Sequence, residues 1–105
     1  MRQEIDMEHH VYFWLKDEFK TAENCAAFEK ALDELLKVGE ISGGLWGKSA
    51  ATPERSVTDK SFDYALSVTF DSIEKHNAYQ VHPDHDVFVD AYKSWWEQVR
   101  IMDID

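Results

Sequence analysis

The sequence predicts an α+β domain with helices layered on one antiparallel sheet, and three observations carry that prediction. Short runs of β-branched and aromatic residues stand near both ends of the chain and in its middle. Between them lie stretches whose apolar residues recur at helical spacing. The resulting order is strand, helix, strand, strand, two short helices, strand, without any repeat, low-complexity tract or linker.

The first strand is His9-His10-Val11-Tyr12-Phe13-Trp14-Leu15, closed by the charged Lys16-Asp17-Glu18. Val11, Phe13 and Leu15 line one side while Tyr12 and Trp14 line the other, so both faces of the sheet call for cover. From Thr21 the period changes to that of a helix: Cys25, Phe28, Leu32, Leu35 and Leu36 share a face, Thr21 can cap it, Glu23 suits its positive end, and Gly39 supplies the stop. Glu40 to Lys48 resumes as a glycine-weakened strand, and the polar stretch Ser49 to Lys60, with Pro53, is a long hairpin connection. Phe62 to Phe70 alternates large apolar residues with small or polar ones, as a half-buried strand does. Asp71 or Ser72 can cap a second helix through Val81, where His82-Pro83 interrupts it, because proline disfavours helical geometry in the residue before it. Pro83 suits the first position of a third helix with Asp84 and Asp86 in its first turn, expected to run to about Trp96. Gln98 to Ile104 closes the chain as a last strand.

At 105 residues this is one domain, which buries only about 60 to 70% of the surface its unfolded chain exposes. Its 44% hydrophobic and 13% aromatic residues are too many for a disordered protein. The formal charge of −10 repels phosphate backbones and anionic headgroups, so neither nucleic acid nor a membrane surface is expected as a partner. Cys25 stands alone, cannot form an internal disulfide, and reads as a small apolar residue on a helix face. Met1 to Glu8 lacks an apolar signal core and no run approaches membrane-spanning length, which makes the cytoplasm the expected location.

The residues that invite a chemical reading cluster at the helix break, Tyr79-Gln80-Val81-His82-Pro83-Asp84-His85. On a helix begun at Pro83, the residues His85, Phe88, Val89, Tyr92, Trp96 and Val99 form one stripe, in which His85 is the polar member of an apolar face. An imidazole turned into such a surface needs a partner or a cavity, because an unpaired buried polar group costs on the order of 1–3 kcal/mol. Tyr79, just before the break, can be turned toward the same space; His85 would then remove an acidic proton while Tyr79 donates to the developing oxyanion. A satisfied core histidine beside a core tyrosine is the alternative. His82 reads as a cap or junction residue and is kept among the ligand-binding candidates. A metal reading of His82 and His85 with Asp84 or Asp86 lacks further ligands, so neither a metal nor a cofactor is expected. Gly47-Lys48-Ser49 resembles the end of a phosphate loop, but Ser42 stands where the motif needs its first glycine. His9 and His10 begin the first strand on opposite faces, so one of them points toward the helices and can join His85.

The ordered set His10-Val11-Tyr12-Phe13-Trp14-Leu15-Lys16, Trp46-Gly47-Lys48, Tyr64 to Phe70 and Tyr79 to His85, with Phe88 and Trp96 beyond it, resembles the stress-responsive α/β-barrel (Dabb) family over nearly the whole chain. The resemblance implies a ferredoxin-like subunit whose sheet joins a partner's sheet as a dimeric α/β barrel, hence a homodimer, with a pocket between each sheet and its own helices. The chain is also similar to plant polyketide cyclases of that family, whose tyrosine and histidine in the corresponding segment assist an aldol closure; those positions match Tyr79 and His85. Their strand-one histidine falls on His9 or His10. The implied function is a small-molecule-binding dimer for an apolar or aromatic ligand, with cofactor-free acid-base chemistry on a carbonyl or polyketide-like compound and Phe28, Leu32, Phe88 and Trp96 as pocket walls. The other expectation is a non-catalytic, stress-associated dimer that sequesters its ligand; a haem or metal-dependent oxidation has no visible ligand set.

Overall fold

The computed structural model describes residues 6–105, so residues 1–5, part of the stretch read for a signal core, lie outside it. Four strands and three helices follow in the order β1 (Met7–Leu15), α1 (Ala22–Leu35), β2 (Gly43–Gly47), β3 (Tyr64–Phe70), α2 (Ile73–Gln80), α3 (Pro83–Tyr92) and β4 (Trp96–Ile104), with single 3-10 turns at Asp17–Phe19 and Lys93–Trp95. The sheet order is β2-β3-β1-β4, and every neighbouring pair is antiparallel. This is the ferredoxin-like α+β arrangement.

The alternation in β1 is what builds the core. Met7, His9, Val11, Phe13 and Leu15 are buried while the residues between them are half-buried. On the helix side, Phe28 and Leu32 of α1 and Val68 and Phe70 of β3 lose all their exposed surface. Phe13 meets Phe28 edge-on at 5.3 Å between ring centroids. On the opposite face, Tyr12 and Trp14 pack against Phe62, and the Trp14 indole donates to Ser61 Oγ at 2.9 Å.

Several boundaries differ from the sequence reading. Thr21 does cap α1, its hydroxyl accepting from the Asn24 amide at 3.2 Å, but the helix ends at Leu35 in tight turns and Gly39 adopts no left-handed conformation. The second strand is shorter than Glu40 to Lys48, because the Ile41 amide turns back to the Val38 carbonyl before pairing begins. Gly44 has a packing reason: a Cβ there would stand 2.8 Å from the Ser67 carbonyl oxygen and 2.9 Å from a Leu36 methyl.

The largest correction concerns α3, which stops at Tyr92 instead of reaching Trp96. The Lys16 amide captures the Trp95 carbonyl at 2.8 Å, and the Trp95 ring stacks on Phe19 at 5.0 Å. These contacts pull the chain into β4. Trp96 and Val99 therefore belong to the sheet, not to the helical stripe. A bulge opposite Trp14 and Leu15 pairs Leu15 with Trp96 and Phe13 with Val99, so both residues still face the helices. No helix among the described residues is long and apolar enough to cross a membrane.

Candidate functional site

Between the helix layer and the β1–β4 half of the sheet lies a cavity of about 120 Å³. The sheet lines it with His9, Val11, Phe13, Trp96, Val99 and Ile101, and the helices with Tyr79, Gln80, His85, Phe88 and Val89. Its walls are mostly apolar, with a few polar groups converging on one space, as small-molecule sites are.

The helix break supplies two of those groups. Pro83 sits in the first turn of α3, and His82 caps it, its Nδ1 accepting from the Asp84 amide at 3.0 Å. Nε2 of His82 lies 4.0 Å from a Glu40 carboxylate oxygen. The bent connection brings the Tyr79 and His85 rings edge-on at 4.8 Å. Burial pushes the His85 pKa down from 6.5 against the opposing charge of Asp86, and His9 and His76 lower it further. The imidazole is therefore neutral at neutral pH. Its Nδ1 is buried without a hydrogen-bond partner. Burial raises the Tyr79 pKa well above its ordinary 10.0, so the phenol stays a donor. Across the cavity, Trp96 Nε1 is likewise buried and unpartnered; an indole nitrogen can only donate.

The parity of β1 distinguishes its two histidines. His9 is buried on the helix side, whereas His10 faces the opposite side and bonds Glu8 at 2.9 Å. His9 Nδ1 lies 2.5 Å from Asp103 Oδ1, and its Nε2 lies 3.5 Å from the Gln80 amide nitrogen. Burial lowers the His9 pKa despite the Asp103 carboxylate, so at neutral pH the contact is a neutral imidazole N–H donated to a carboxylate. Of the residues singled out in the sequence, His9, Tyr79, His85, Phe88 and Trp96 share the cavity. Phe28 and Leu32 are sealed in the core beside it, His82 is occupied as a cap, and His10 stands on the far face.

Three polar contributors escaped the sequence reading. Asp103 meets His9 only through the β1–β4 register, across 94 residues of chain. The Trp96 donor was hidden by the expectation of a helix. His76 had a legible signal: with Tyr79 and Gln80 it follows the i, i+3, i+4 spacing of one helical face. Its ring lies 4.8 Å from His9 between centroids.

Olivetolic acid cyclase of Cannabis sativa is 27% identical over 97 residues, covering 92% of this chain and 93% of the cyclase. A dimeric ferredoxin-like protein of unknown function from Thermobifida fusca superposes with a TM-score of 0.76 at 19% identity, over 99% of this chain and 93% of that one. The hydroxynitrile lyase of Passiflora edulis does so with a TM-score of 0.76 at 17% identity, over 93% and 90%; likeness at this level concerns the fold. The model of the stress responsive A/B barrel domain matches residues 7–105, and with the sheet order, the helix break and the cavity as described, the chain belongs to that family.

Proposed function

We propose that this protein is a homodimeric small-molecule-binding barrel subunit that performs acid-base chemistry on a carbonyl compound with its own side chains. The observation that carries the reading is the pair of buried, unpartnered nitrogens, His85 Nδ1 and Trp96 Nε1, on two residues that line one apolar cavity. Each unmet group costs on the order of 1–3 kcal/mol, and a ligand bearing an acceptor oxygen would satisfy the indole. Neutral His85 takes a proton from the carbon beside a carbonyl, and the electron pair left behind becomes an enolate. The Tyr79 hydroxyl and the Trp96 N–H donate to the oxygen on which charge develops. His9, fixed by Asp103 and Gln80, orients the substrate from the sheet side.

The relatives support this class of substrate. A cyclase closes a ring, and a hydroxynitrile is the adduct of a carbonyl group with cyanide, so base and oxyanion donor serve both. The homodimer is supported by the dimeric Thermobifida fusca protein of the same fold and by the half-buried His10, Tyr12 and Trp14 on the face away from the helices. The second reading is a dimer that sequesters its ligand without turning it over.

The test incubates the protein, with chelator present, with a panel of poly-β-ketones and cyanohydrins, following products by chromatography and binding by melting temperature. Turnover by wild type that His85→Leu abolishes while the melting curve is kept supports catalysis. A raised melting temperature without product supports sequestration. Turnover undiminished in His85→Leu defeats the assignment of the base.

A further inference from the structure

We propose that His9, His76 and Asp103 form a binding site for one divalent first-row metal ion of the zinc class, beside the cavity rather than inside it. The three come from β1, α2 and β4, and one donor atom from each lies within 4.8 Å of the other two. Of the three, only His9 also lines the cavity.

A second observation points to a ligand. His76 Nε2 is buried and has no hydrogen-bond partner, while its Nδ1 lies 3.1 Å from the side-chain oxygen of Asn77. Donation to that oxygen puts the proton on Nδ1 and leaves a lone pair on Nε2, the tautomer a metal requires. Two imidazoles and one carboxylate suit zinc, cobalt or iron in the divalent state; magnesium and calcium prefer an all-oxygen set. Zinc holds its donors at about 2.0–2.1 Å, which in a tetrahedron separates them by roughly 3.4 Å. The widest separation must therefore close by on the order of 1 Å, while the 2.5 Å contact between His9 Nδ1 and Asp103 Oδ1 must give up its proton and open by a similar amount. Asp103 can supply the opening movement, since its side chain is 40% exposed. Three protein ligands leave a fourth position for water, the pattern of an open rather than a sealed zinc site. The net charge of −10 favours cations at the surface.

The site stands or falls without any substrate, and so independently of the acid-base reading. Chelator-treated, desalted protein is titrated with Zn²⁺ by calorimetry and with Co²⁺ by visible absorption, which reports four-coordinate nitrogen and oxygen ligation. The expected result is one ion per chain, a raised melting temperature, and no response to Mg²⁺. His76→Ala and Asp103→Asn should each weaken binding at least about tenfold, while His10→Ala and His82→Ala bind as wild type does. If His76→Ala fails to fold, Asp103→Asn and its Co²⁺ spectrum decide. No binding by wild type, unchanged binding in Asp103→Asn, or loss confined to His10→Ala or His82→Ala overturns the proposal.

Discussion

His85 shows most directly how packing and chemistry make different demands on one side chain. As a core residue it could be exchanged for leucine at similar volume, and removing an unpaired buried nitrogen would leave stability unchanged or higher. As the base, it cannot be exchanged at all. We expect His85→Leu to keep the fold and lose turnover, and Tyr79→Phe and Trp96→Phe each to lower the rate by roughly 10²-fold, as loss of an oxyanion donor does; steady-state rates on any substrate found check this. A pH dependence follows from the same residue. Its native pKa lies below 6.5, so below that pH the unfolded chain binds the proton more readily than the native one. The contribution of neutral His85 is complete above the unfolded pKa and is lost as pH falls from about 6.5 toward the depressed native value. Asp86 opposes the shift, His9 and His76 reinforce it, and His9 carries a lowered pKa of its own. Urea unfolding at pH 5 and pH 8 in the presence of chelator should show a smaller difference for His85→Leu than for wild type, with a remainder from His9. An equal difference in both would refute the assignment.

At the scale of elements, much was legible because local signals acted locally. Thr21 and Ser72 cap α1 and α2 through their hydroxyls, and Pro83 begins α3 after the break at His82. Removing the cap by Thr21→Ala should cost about 1 kcal/mol in denaturant unfolding. Helix ends set by distant partners were not legible. Nothing in Tyr92-Lys93-Ser94-Trp95-Trp96 stops a helix by composition; the stop comes from Lys16 and Phe19, about eighty residues away. Gly44 belongs to this scale as well. It lets β2 and the end of α1 approach β3, and a methyl group there would meet a backbone oxygen that cannot move freely. Gly44→Ala should destabilise by roughly 1–3 kcal/mol, against no more than a few tenths for Gly47→Ala, whose Cβ would meet nothing within 4 Å. Equal midpoints for the two variants would contradict the close-approach account.

At the scale of the whole molecule, the sheet has one face under the helices and another that carries His10, Tyr12 and Trp14 with little of the chain to cover them. Met102 and Ile104 at the edge strand are also exposed, by 50% and 45%. The expected state is a homodimer, and light scattering at low micromolar concentration should return twice the chain mass of 12.3 kDa. A stable monomer would defeat it. β4 pairs with β1 along nearly its whole length and supplies Trp96, Val99 and Ile101 to the cavity. Deleting Gln98 to Asp105 should therefore leave insoluble or monomeric protein; a soluble dimer after truncation would mean that β4 does not sustain the assembly.

The sequence by itself determined the order of elements, the Thr21 cap and the junction that joins Tyr79 to His85. All of these follow from periods and caps that act within a few residues. Only the tertiary structure decided which strand-one histidine serves the cavity, because the choice between His9 and His10 turns on a parity fixed when β1 pairs with β3 and β4. It likewise brought Asp103 to His9 and moved Trp96 from a helical stripe to the opposite wall of the same cavity. Strand register and a β-bulge link residues some eighty or more positions apart, and no local period encodes such a link.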